Sequence, residues 1–217
     1  MRLYHYLESK WALDNIRRRR LKLSKIDDMN DPYEWACVRA ADDASQATLE
    51  RARRDIAELH GVLCFSRSWN KILMWSHYGG RHGGICLGFD VPDGEGRFME
   101  IKYLNELVVA PNLSGLPREQ QKPFFELLYT GKYGGWRYEE EIRTFARRDK
   151  KDDETGLRFA SFDEDLKLRE VIAGANFQLS KAVIEEALSG YPAVISKVGI
   201  SAHRFEVILD EDGFKRS

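Results

Sequence analysis

Apolar residues recur along this chain with two spacings, one of about two residues and one of about 3.6. The first is typical of strands with one buried face, and the second of amphipathic helices. The second spacing predicts helices over Ser9 to Arg20, Asp42 to Leu59, Leu73 to Tyr78, Pro117 to Thr130 and Ser180 to Leu188. Helices and strands are interspersed without the alternation of a parallel sheet, so the chain is predicted to be an α+β protein.

Two segments, Gly61 to Ser66 and Gly84 to Val91, are almost continuously apolar. Such runs are typical of strands buried on both faces in the middle of a sheet. The other strand candidates are Leu3 to Tyr6, Leu21 to Ser24, Phe98 to Tyr103, Glu139 to Ala146, Leu157 to Phe162, Arg169 to Ala173, Ala193 to Ile200 and Phe205 to Leu209. We expect two small, mostly antiparallel sheets flanked by helices, with the strands at Leu3 and Glu139 close in space.

Length and composition fit one unit of structure. No repeat or linker divides the 217 residues, so residues 1–217 are predicted to form a single domain. The 34 Lys and Arg residues almost balance the 35 Asp and Glu residues, which gives no reason to expect a nucleic acid or membrane partner. Apolar runs are shorter than the ~20 residues of a membrane span, and Cys37, Cys64 and Cys86 are widely spaced. We therefore expect reduced thiols and a cytoplasmic protein.

Four stretches combine polar and aromatic residues where folding alone would not require them: Tyr4 to Tyr6, Asn30 to Glu34, Met74 to Tyr78 and Trp136 to Arg143. No glycine-rich nucleotide motif and no zinc-ligand spacing accompanies them. In a strand, Glu139, Glu141 and Arg143 would share one face. These three charges could form a surface ion network, or in a cleft a carboxylate pair with split pKa values, as at working sites.

Seven segments, in this order, resemble a bacterial domain-of-unknown-function family, number twenty-nine seventy-one. They are Leu3–Tyr6, Trp11–Ile16, Met29–Glu34, Val62–Ser66, Met74–Tyr78, His82–Asp90 and Trp136–Arg143. The resemblance covers nearly the whole chain, with small departures: Leu7 stands where Thr is usual, and Tyr33 where Phe is common. It implies a bacterial protein, but no particular chemistry.

A histidine on the opening strand and the late pair Glu139 and Glu141 also resemble ADP-ribosyltransferases, including DNA-modifying toxins. That resemblance implies a split sandwich that binds NAD in a cleft between two sheets. Glu141 would be the catalytic carboxylate that stabilises an oxocarbenium-like ribose, Glu139 would orient the acceptor, and His5 would hold the NAD ribose. Tyr78 or Trp75 would stack on the nicotinamide ring. The residues assigned to NAD are His5, Tyr6, Asn30, Asp31, Trp75, His77, Tyr78 and Arg143.

The same residues have plainer interpretations. His5 could be a core histidine bonded to a carbonyl, and Asn30 and Asp31 could cap backbone amides in a stiff turn. Trp75 and Tyr78 are three residues apart, which on a helix places them on one face that could pack in the core, whereas His77 points elsewhere. The residue types alone therefore do not separate a binding role from a structural one.

Three functions fit these residues. The first is an NAD-consuming ADP-ribosyltransferase or toxin-like effector, in a toxin system or in anti-phage defence, with a macromolecular or small-molecule acceptor. The second is a hydrolase or nuclease with a divalent metal on Asp31, Glu34, Glu139 and Glu141. The third is a non-enzymatic sensor or interaction module that works with another protein of a defence system. The first is preferred, and no metal is expected, because oxygen-only metal sites usually have tighter local spacing.

Overall fold

A computed structural model describes residues 1–94, 96–147 and 151–215. The α-helices in this part of the chain are α1 (Ser9–Arg18), α2 (Asp43–Leu59), α3 (Ile72–His77), α4 (Arg118–Thr130) and α5 (Lys181–Leu188). Short 3-10 helices cover Ile26–Asp28, Leu113–Gly115 and Gly134–Glu139. The strands are β1 (Arg2–Leu7), β2 (Arg20–Lys22), β3 (Val38–Ala40), β4 (His60–Ser66), β5 (Ile85–Asp90), β6 (Met99–Glu100), β7 (Lys102–Leu104), β8 (Val108–Ala110), β9 (Gly131–Tyr133), β10 (Glu141–Arg147), β11 (Phe159–Ser161), β12 (Lys167–Ala173), β13 (Val194–Ile200) and β14 (Val207–Leu209).

One eight-stranded sheet dominates the molecule, in the order β14-β13-β12-β5-β1-β4-β10-β6. Its neighbouring strands are antiparallel, except that β12 and β13 are parallel. Three two-stranded ladders lie beside it and pair β2 with β11, β3 with β8 and β7 with β9. The α+β class and the mostly antiparallel pairing are therefore confirmed. The prediction of two small sheets is wrong, because β1 lies between β5 and β4 and joins both halves.

The large sheet is covered on both faces, which explains the apolar runs in its central strands. On one face Leu3 and Leu87 belong to a core that includes Leu13 of α1 and Ile184 of α5. On the other face, a smaller apolar cluster surrounds the fully buried Trp75 of α3. Because β5 contributes to both clusters, almost every one of its residues is apolar and buried. The burial of both faces is the reason why the central strands are almost continuously apolar in sequence.

The sheet is interrupted between β1 and β4. β1 pairs with β5 along its whole length, but with β4 it forms one residue pair, between Tyr4 and Ser66. Ser66 also pairs with Glu141 of β10 on the other side of β4. At the next residue of β1, His5, the bond to the Cys64 carbonyl is made by the imidazole side chain. The two strands therefore separate in the middle of the sheet and leave a gap among buried residues.

Local structure differs from the sequence-based prediction at three places. Glu139 ends a 3-10 helix, and Glu140 takes the left-handed conformation, so β10 begins only at Glu141. The predicted strand Phe98 to Tyr103 is broken into β6 and β7, which pair with different partners. A serine at the start of an apolar helical pattern predicts that Ser9 caps α1, but its hydroxyl donates to the Gly83 carbonyl and Glu8 is the residue before the helix.

Three further expectations concern thiols, membrane segments and the charged run after β10. Cys37 and Cys86 are buried free thiols, and Cys64 is a half-buried one. Among the described residues, no helix combines the length and the apolar character needed to cross a membrane. The charged run from Arg147 to Glu154 is predicted from its sequence to be a long hairpin tip or excursion. Part of it, residues 148–150, lies outside the described residues.

Candidate functional site

A cavity of about 260 Å³ lies where β1 separates from β4. Its walls come from these two strands, the segment before and after the first 3-10 helix, α3, β9 and the start of β10. The lining residues are Tyr4, His5, Tyr6, Ser24, Asp28, Met29, Asn30, Cys64, Phe65, Ser66, Met74, Tyr78, Lys132, Glu139 and Glu141. The gap in the sheet therefore brings residues from the start and the middle of the chain to one enclosed space.

A buried ammonium group links the two glutamates of this cavity, Glu139 and Glu141. Lys132 Nζ donates to Glu139 Oε2 at 2.5 Å and to Glu141 Oε2 at 2.8 Å. All three side chains are almost completely buried. Lys132 lies on β9, which pairs with β7 and thereby extends toward the start of β10. Unpaired buried charges cost several kcal/mol each, so these three groups depend on one another for their ionised state.

A second cation, Arg143, lies under Glu141 and has no exposed surface. Its Nε and Nη2 donate to the two oxygens of Glu141 at 2.6 and 2.9 Å, which forms a bidentate pair. Its Nη1 lies 2.6 Å from Oε1 of Glu34, and Lys132 Nζ lies 3.8 Å from Oε2 of Glu34. Glu34 is therefore a buried third carboxylate of the same cluster, contributed by the segment between β2 and β3.

The cluster contains three carboxylates, Glu34, Glu139 and Glu141, but two cations, Lys132 and Arg143. If all five groups are ionised, the cluster has a net charge of −1, so the carboxyl groups do not ionise equally. Burial opposes ionisation of Glu141, but Arg143 and Lys132 outweigh it and lower its pKa to about 2. Burial raises the pKa of both Glu34 and Glu139, only partly offset by the same cations. The arrangement holds Glu141 ionised and makes the other two the groups that take up protons.

A hydrogen-bonded chain leads from Glu139 to the mouth segment of the cavity. The Tyr78 hydroxyl donates to Glu139 Oε1 at 2.6 Å and accepts a hydrogen bond from Asn30 Nδ2 at 2.9 Å. Burial raises the pKa of the Tyr78 phenol, and Glu139 beside it raises it further. Tyr78 is therefore a neutral donor that fixes the orientation of Glu139 and joins it to the segment around Asn30.

His5 faces the acidic residues across the gap with one defined tautomer. Its Nδ1 lies 2.8 Å from the Cys64 carbonyl oxygen, which can only accept, so Nδ1 carries the proton. Burial lowers the pKa of the imidazole, which keeps it neutral. Nε2 is then an acceptor, and the described residues provide no hydrogen bond to it. One nitrogen of His5 thus bonds to the Cys64 carbonyl where the strand pairing is interrupted, and the other can accept a hydrogen bond from a ligand.

Aromatic and apolar side chains complete the cavity. Tyr4, Tyr6, Phe65 and Met74 line it. The Tyr6 hydroxyl donates to the Ser68 carbonyl at 2.8 Å, and its ring lies edge-on against Trp75. A cavity with apolar walls and a few converging polar groups is the usual form of a small-molecule site. The charged residues thus form a buried cluster beside a cavity rather than a surface ion network.

The comparisons with known proteins do not identify this site. No family model, curated protein or solved structure matches this chain. The resemblances to family twenty-nine seventy-one and to ADP-ribosyltransferases therefore stay predictions. What can be said of the site comes from its own residues.

Six of the residues singled out from the sequence line the cavity: His5, Tyr6, Asn30, Tyr78, Glu139 and Glu141. The other four residues of the ten that were assigned to catalysis or to NAD, Asp31, Trp75, His77 and Arg143, do not line it. Trp75 is fully buried and donates its indole N–H to the Trp69 carbonyl, so no ligand ring can stack on it. His77 is exposed and stacks on Tyr138, as its position on the helix allows. Asp31 is buried and accepts the backbone N–H of Tyr33 as a turn residue, and Arg143 lies beneath Glu141.

The sequence interpretation missed Lys132, which makes the shortest contacts of the cluster. Lys132 lies in the segment from Gly131 to Gly135, whose glycines predict a loop. In the structure its first three residues form β9, and its last two begin the 3-10 helix Gly134–Glu139. Gly131 has no room for a side chain because a Cβ there would lie 2.6 Å from the Leu127 carbonyl oxygen. Nothing in the sequence indicates that a lysine in a glycine-rich segment of this kind is buried. Only the excess of acidic residues nearby could have indicated that a cation was needed.

Proposed function

We propose that this protein is an ADP-ribosyltransferase-like enzyme that breaks the bond between nicotinamide and ribose in NAD and transfers ADP-ribose to an acceptor. The observation that supports this most is the convergence of His5, Glu139 and Glu141 on one cavity. In the reaction, the C1′–N bond breaks and its electron pair leaves with nicotinamide. The positive charge passes to the ribose, and the acceptor then bonds to C1′ and loses its proton.

Glu141 is the residue best suited to stabilise the oxocarbenium-like ribose. Its low pKa keeps it ionised at any physiological pH. Arg143 and Lys132 fill three of the roughly four acceptor positions of its carboxylate, and a ribose hydroxyl would take the fourth, on Oε1, in competition with the neighbouring Cys64 thiol. A ribose hydroxyl bonded there would place a fixed negative charge beside the developing positive charge. Because the cations also hold the carboxylate rigidly, little reorganisation accompanies the reaction.

Glu139 is suited to accept the proton that the acceptor loses. Burial raises its pKa, so it is a stronger base than an ordinary carboxylate. Tyr78 and Lys132 hold one oxygen each, and the side chain reaches the same cavity as Glu141. Two carboxylates with opposite pKa shifts in one site are typical of a division between a charged stabiliser and a proton acceptor.

His5 and the aromatic walls would bind the nicotinamide riboside. The free Nε2 of His5 can accept a hydrogen bond from a ribose hydroxyl, and the ring of Tyr78 or Tyr4 can cover the nicotinamide. The cavity of about 260 Å³ is slightly smaller than the usual range of ligand sites, about 300–1,000 Å³. It therefore suits one half of NAD, and the adenosine would lie outside it.

The test is nicotinamide release from NAD by the purified protein, with DNA, RNA and protein supplied as acceptors. Glu141→Gln keeps the shape of the side chain but removes its charge, so turnover should fall by roughly 10²-fold or more. NAD binding, measured separately by calorimetry, should survive. The matched control is Glu126→Gln, which removes a carboxylate from an exposed pair with Lys102 and should leave turnover unchanged.

Two results would count against the proposal in different ways. If Glu141→Gln were as active as the wild type, Glu141 would have no part in the mechanism. If the wild type neither bound nor consumed NAD with any acceptor, the whole assignment would fall. The setting in bacterial defence and the membership of family twenty-nine seventy-one belong to the same proposal and depend on that activity.

The metal-dependent alternative has less support from the geometry. Lys132 Nζ occupies the position among Glu34, Glu139 and Glu141 that a divalent cation would need. In the described residues, no group of three or more potential ligands has the arrangement of a metal site. A hydrolase built on these carboxylates would first have to displace a buried lysine. Cleavage of DNA or RNA that depends on Mg²⁺, in the same assay, would favour this alternative.

A further inference from the structure

A second cavity of about 240 Å³ lies on the other side of β9 and shares no lining residue with the first. Its walls include Tyr33, Leu107 and Tyr133, and its polar groups include Asn105 and Glu106. Lys132 and Tyr133 are successive residues of a strand, and their side chains point in opposite directions. The proposed NAD site therefore does not account for this cavity.

Two tyrosines give the second cavity an aromatic character. Tyr33 is 51% exposed and Tyr133 is 54% exposed, although both line the same space. Within the described part of the chain, neither hydroxyl makes a hydrogen bond and neither ring contacts another ring. The ring of Tyr133 lies directly on the backbone of Gly135, where a Cβ atom would be only 2.5 Å from the Cε1 atom of the ring. This contact holds the ring in place. Each of the two rings therefore has accessible surface at the cavity on which a flat ligand can stack.

The polar groups of this cavity indicate which flat ligand it suits. Asn105 and Glu106 are exposed, and in the described residues no side chain bonds to the amide or pairs with the carboxylate. A carboxylate accepts two parallel hydrogen bonds from a ligand with two adjacent N–H donors. No lysine or arginine is among the lining residues that the structure describes, so a phosphate would find no partner and would be repelled by Glu106.

We propose that this second cavity binds a purine base that presents two adjacent N–H donors, as guanine does, in a nucleoside without phosphate. The tyrosines stack on the base, and Glu106 accepts hydrogen bonds from its N1–H and 2-amino groups. Asn105 contributes a donor to the neighbouring carbonyl oxygen of the base. This inference is independent of the proposed function, because it uses none of the groups that line the first cavity.

The experiment measures binding of guanosine, inosine and adenosine to the full chain by saturation-transfer NMR and calorimetry. Guanosine should bind more tightly than inosine, which lacks the 2-amino group, and adenosine should bind most weakly. Stacking on one aromatic ring changes affinity by roughly 5- to 150-fold, so Tyr33→Ala and Tyr133→Ala should each weaken guanosine binding at least fivefold. Glu106→Gln should abolish the preference for guanosine over inosine, because one acceptor oxygen becomes an N–H donor.

Two control variants separate this site from general effects and from the first cavity. Trp11→Ala removes an aromatic residue of the same exposure, 52%, outside both cavities and should not change guanosine affinity. Glu141→Gln should also leave the affinity for guanosine unchanged, whatever its effect on the turnover of NAD. The proposal is overturned if guanosine does not bind at about 1 mM, if adenosine binds as tightly, or if the tyrosine variants bind it like the wild type.

Discussion

The Tyr78 hydroxyl donates a hydrogen bond of 2.6 Å to Oε1 of Glu139. Through this bond, the residue that follows α3 contacts a carboxyl group 61 residues later in the chain. The bond favours the ionised form of Glu139, whereas burial favours the protonated form. Burial and this hydrogen bond therefore act in opposite directions on the pKa of Glu139, and single substitutions around it should shift that pKa measurably.

Replacement of Tyr78 by phenylalanine should raise the pKa of Glu139 further, because it removes a donor to the carboxylate. If Glu139 accepts the acceptor proton, the acidic limb of the profile of kcat/KM against pH moves to higher pH. The free energy of unfolding should also fall by about 1.5–3 kcal/mol, the usual loss for a hydrogen bond to a charged group. Tyr191→Phe is the control, since its ring packs under Arg19 away from the cavity. An unchanged pH profile in an active Tyr78→Phe variant would contradict the assignment of Glu139 as the base.

Replacement of Lys132 by methionine should destabilise the protein strongly. The net charge of the cluster would change from −1 to −2, with three buried carboxylates against Arg143 alone. Breaking a buried ion pair usually costs about 3–5 kcal/mol, and urea unfolding should show a loss of that size. Lys102→Met removes a lysine from an exposed pair and should change the free energy of unfolding by less than about 1 kcal/mol.

A second substitution tests whether this loss is electrostatic. Glu139→Gln removes one carboxylate that Lys132 neutralises, so in the Lys132→Met background it should restore stability. The double variant should therefore be more stable than the sum of the two single losses, by about 1–3 kcal/mol. Strict additivity would mean that Lys132 stabilises the fold by packing alone.

The pH dependence of stability should reflect the two kinds of carboxyl group. The pKa of Glu141 falls from 4.5 to about 2 on folding, so its contribution is present above pH 4.5 and is lost as the pH falls toward 2. The pKa values of Glu34 and Glu139 rise on folding, so the folded state binds more protons and their contribution is lost as the pH rises above 4.5. Urea unfolding between pH 3 and 8 should show that Glu139→Gln removes part of the decline above pH 4.5. An identical decline in wild type and variant would contradict the raised pKa of Glu139.

Replacement of His5 by alanine should weaken NAD binding more than it slows turnover. The proposed contact joins Nε2 to a ribose hydroxyl that is present in both the ground state and the transition state, so KM rises while kcat changes little. His5→Asn is informative beside it, because an amide can still donate to the Cys64 carbonyl and should preserve stability. The exposed His203 provides the neutral control as His203→Ala. A fall in kcat with KM unchanged would show that His5 acts in the transition state instead.

Much of the fold could be read from apolar spacing, because most strands and helices are long enough to show their period. The two central runs were assigned correctly, since β4 and β5 are buried on both faces. The number of sheets could not be read in this way. Spacing describes the faces of a strand but not its edges, and one strand, β1, decides by its two edges whether the halves are joined.

The residues of the candidate site could be predicted where their types are unusual for their place in the sequence. They could not be predicted where their burial depends on contacts between distant segments. His5, Glu139 and Glu141 stood out by type and do share a cavity. Glu139 and Glu141 do not reach this cavity by the strand alternation that was predicted. The left-handed conformation of Glu140 turns the chain between them. The burial of Lys132 depends on β9 pairing with β7, a contact between distant segments that no local pattern encodes.

The position of Ser66 between Tyr4 and Glu141 has a consequence for the order in which the protein is made. One wall of the first cavity is synthesised at the very start of the chain, but Glu139 and Glu141 arrive only with the 3-10 helix Gly134–Glu139 and with β10. A ribosome-bound chain that ends before this 3-10 helix has His5 but lacks both carboxylates. A nascent chain of that length therefore cannot carry the proposed chemistry, and the first cavity is complete only after most of the chain has been made.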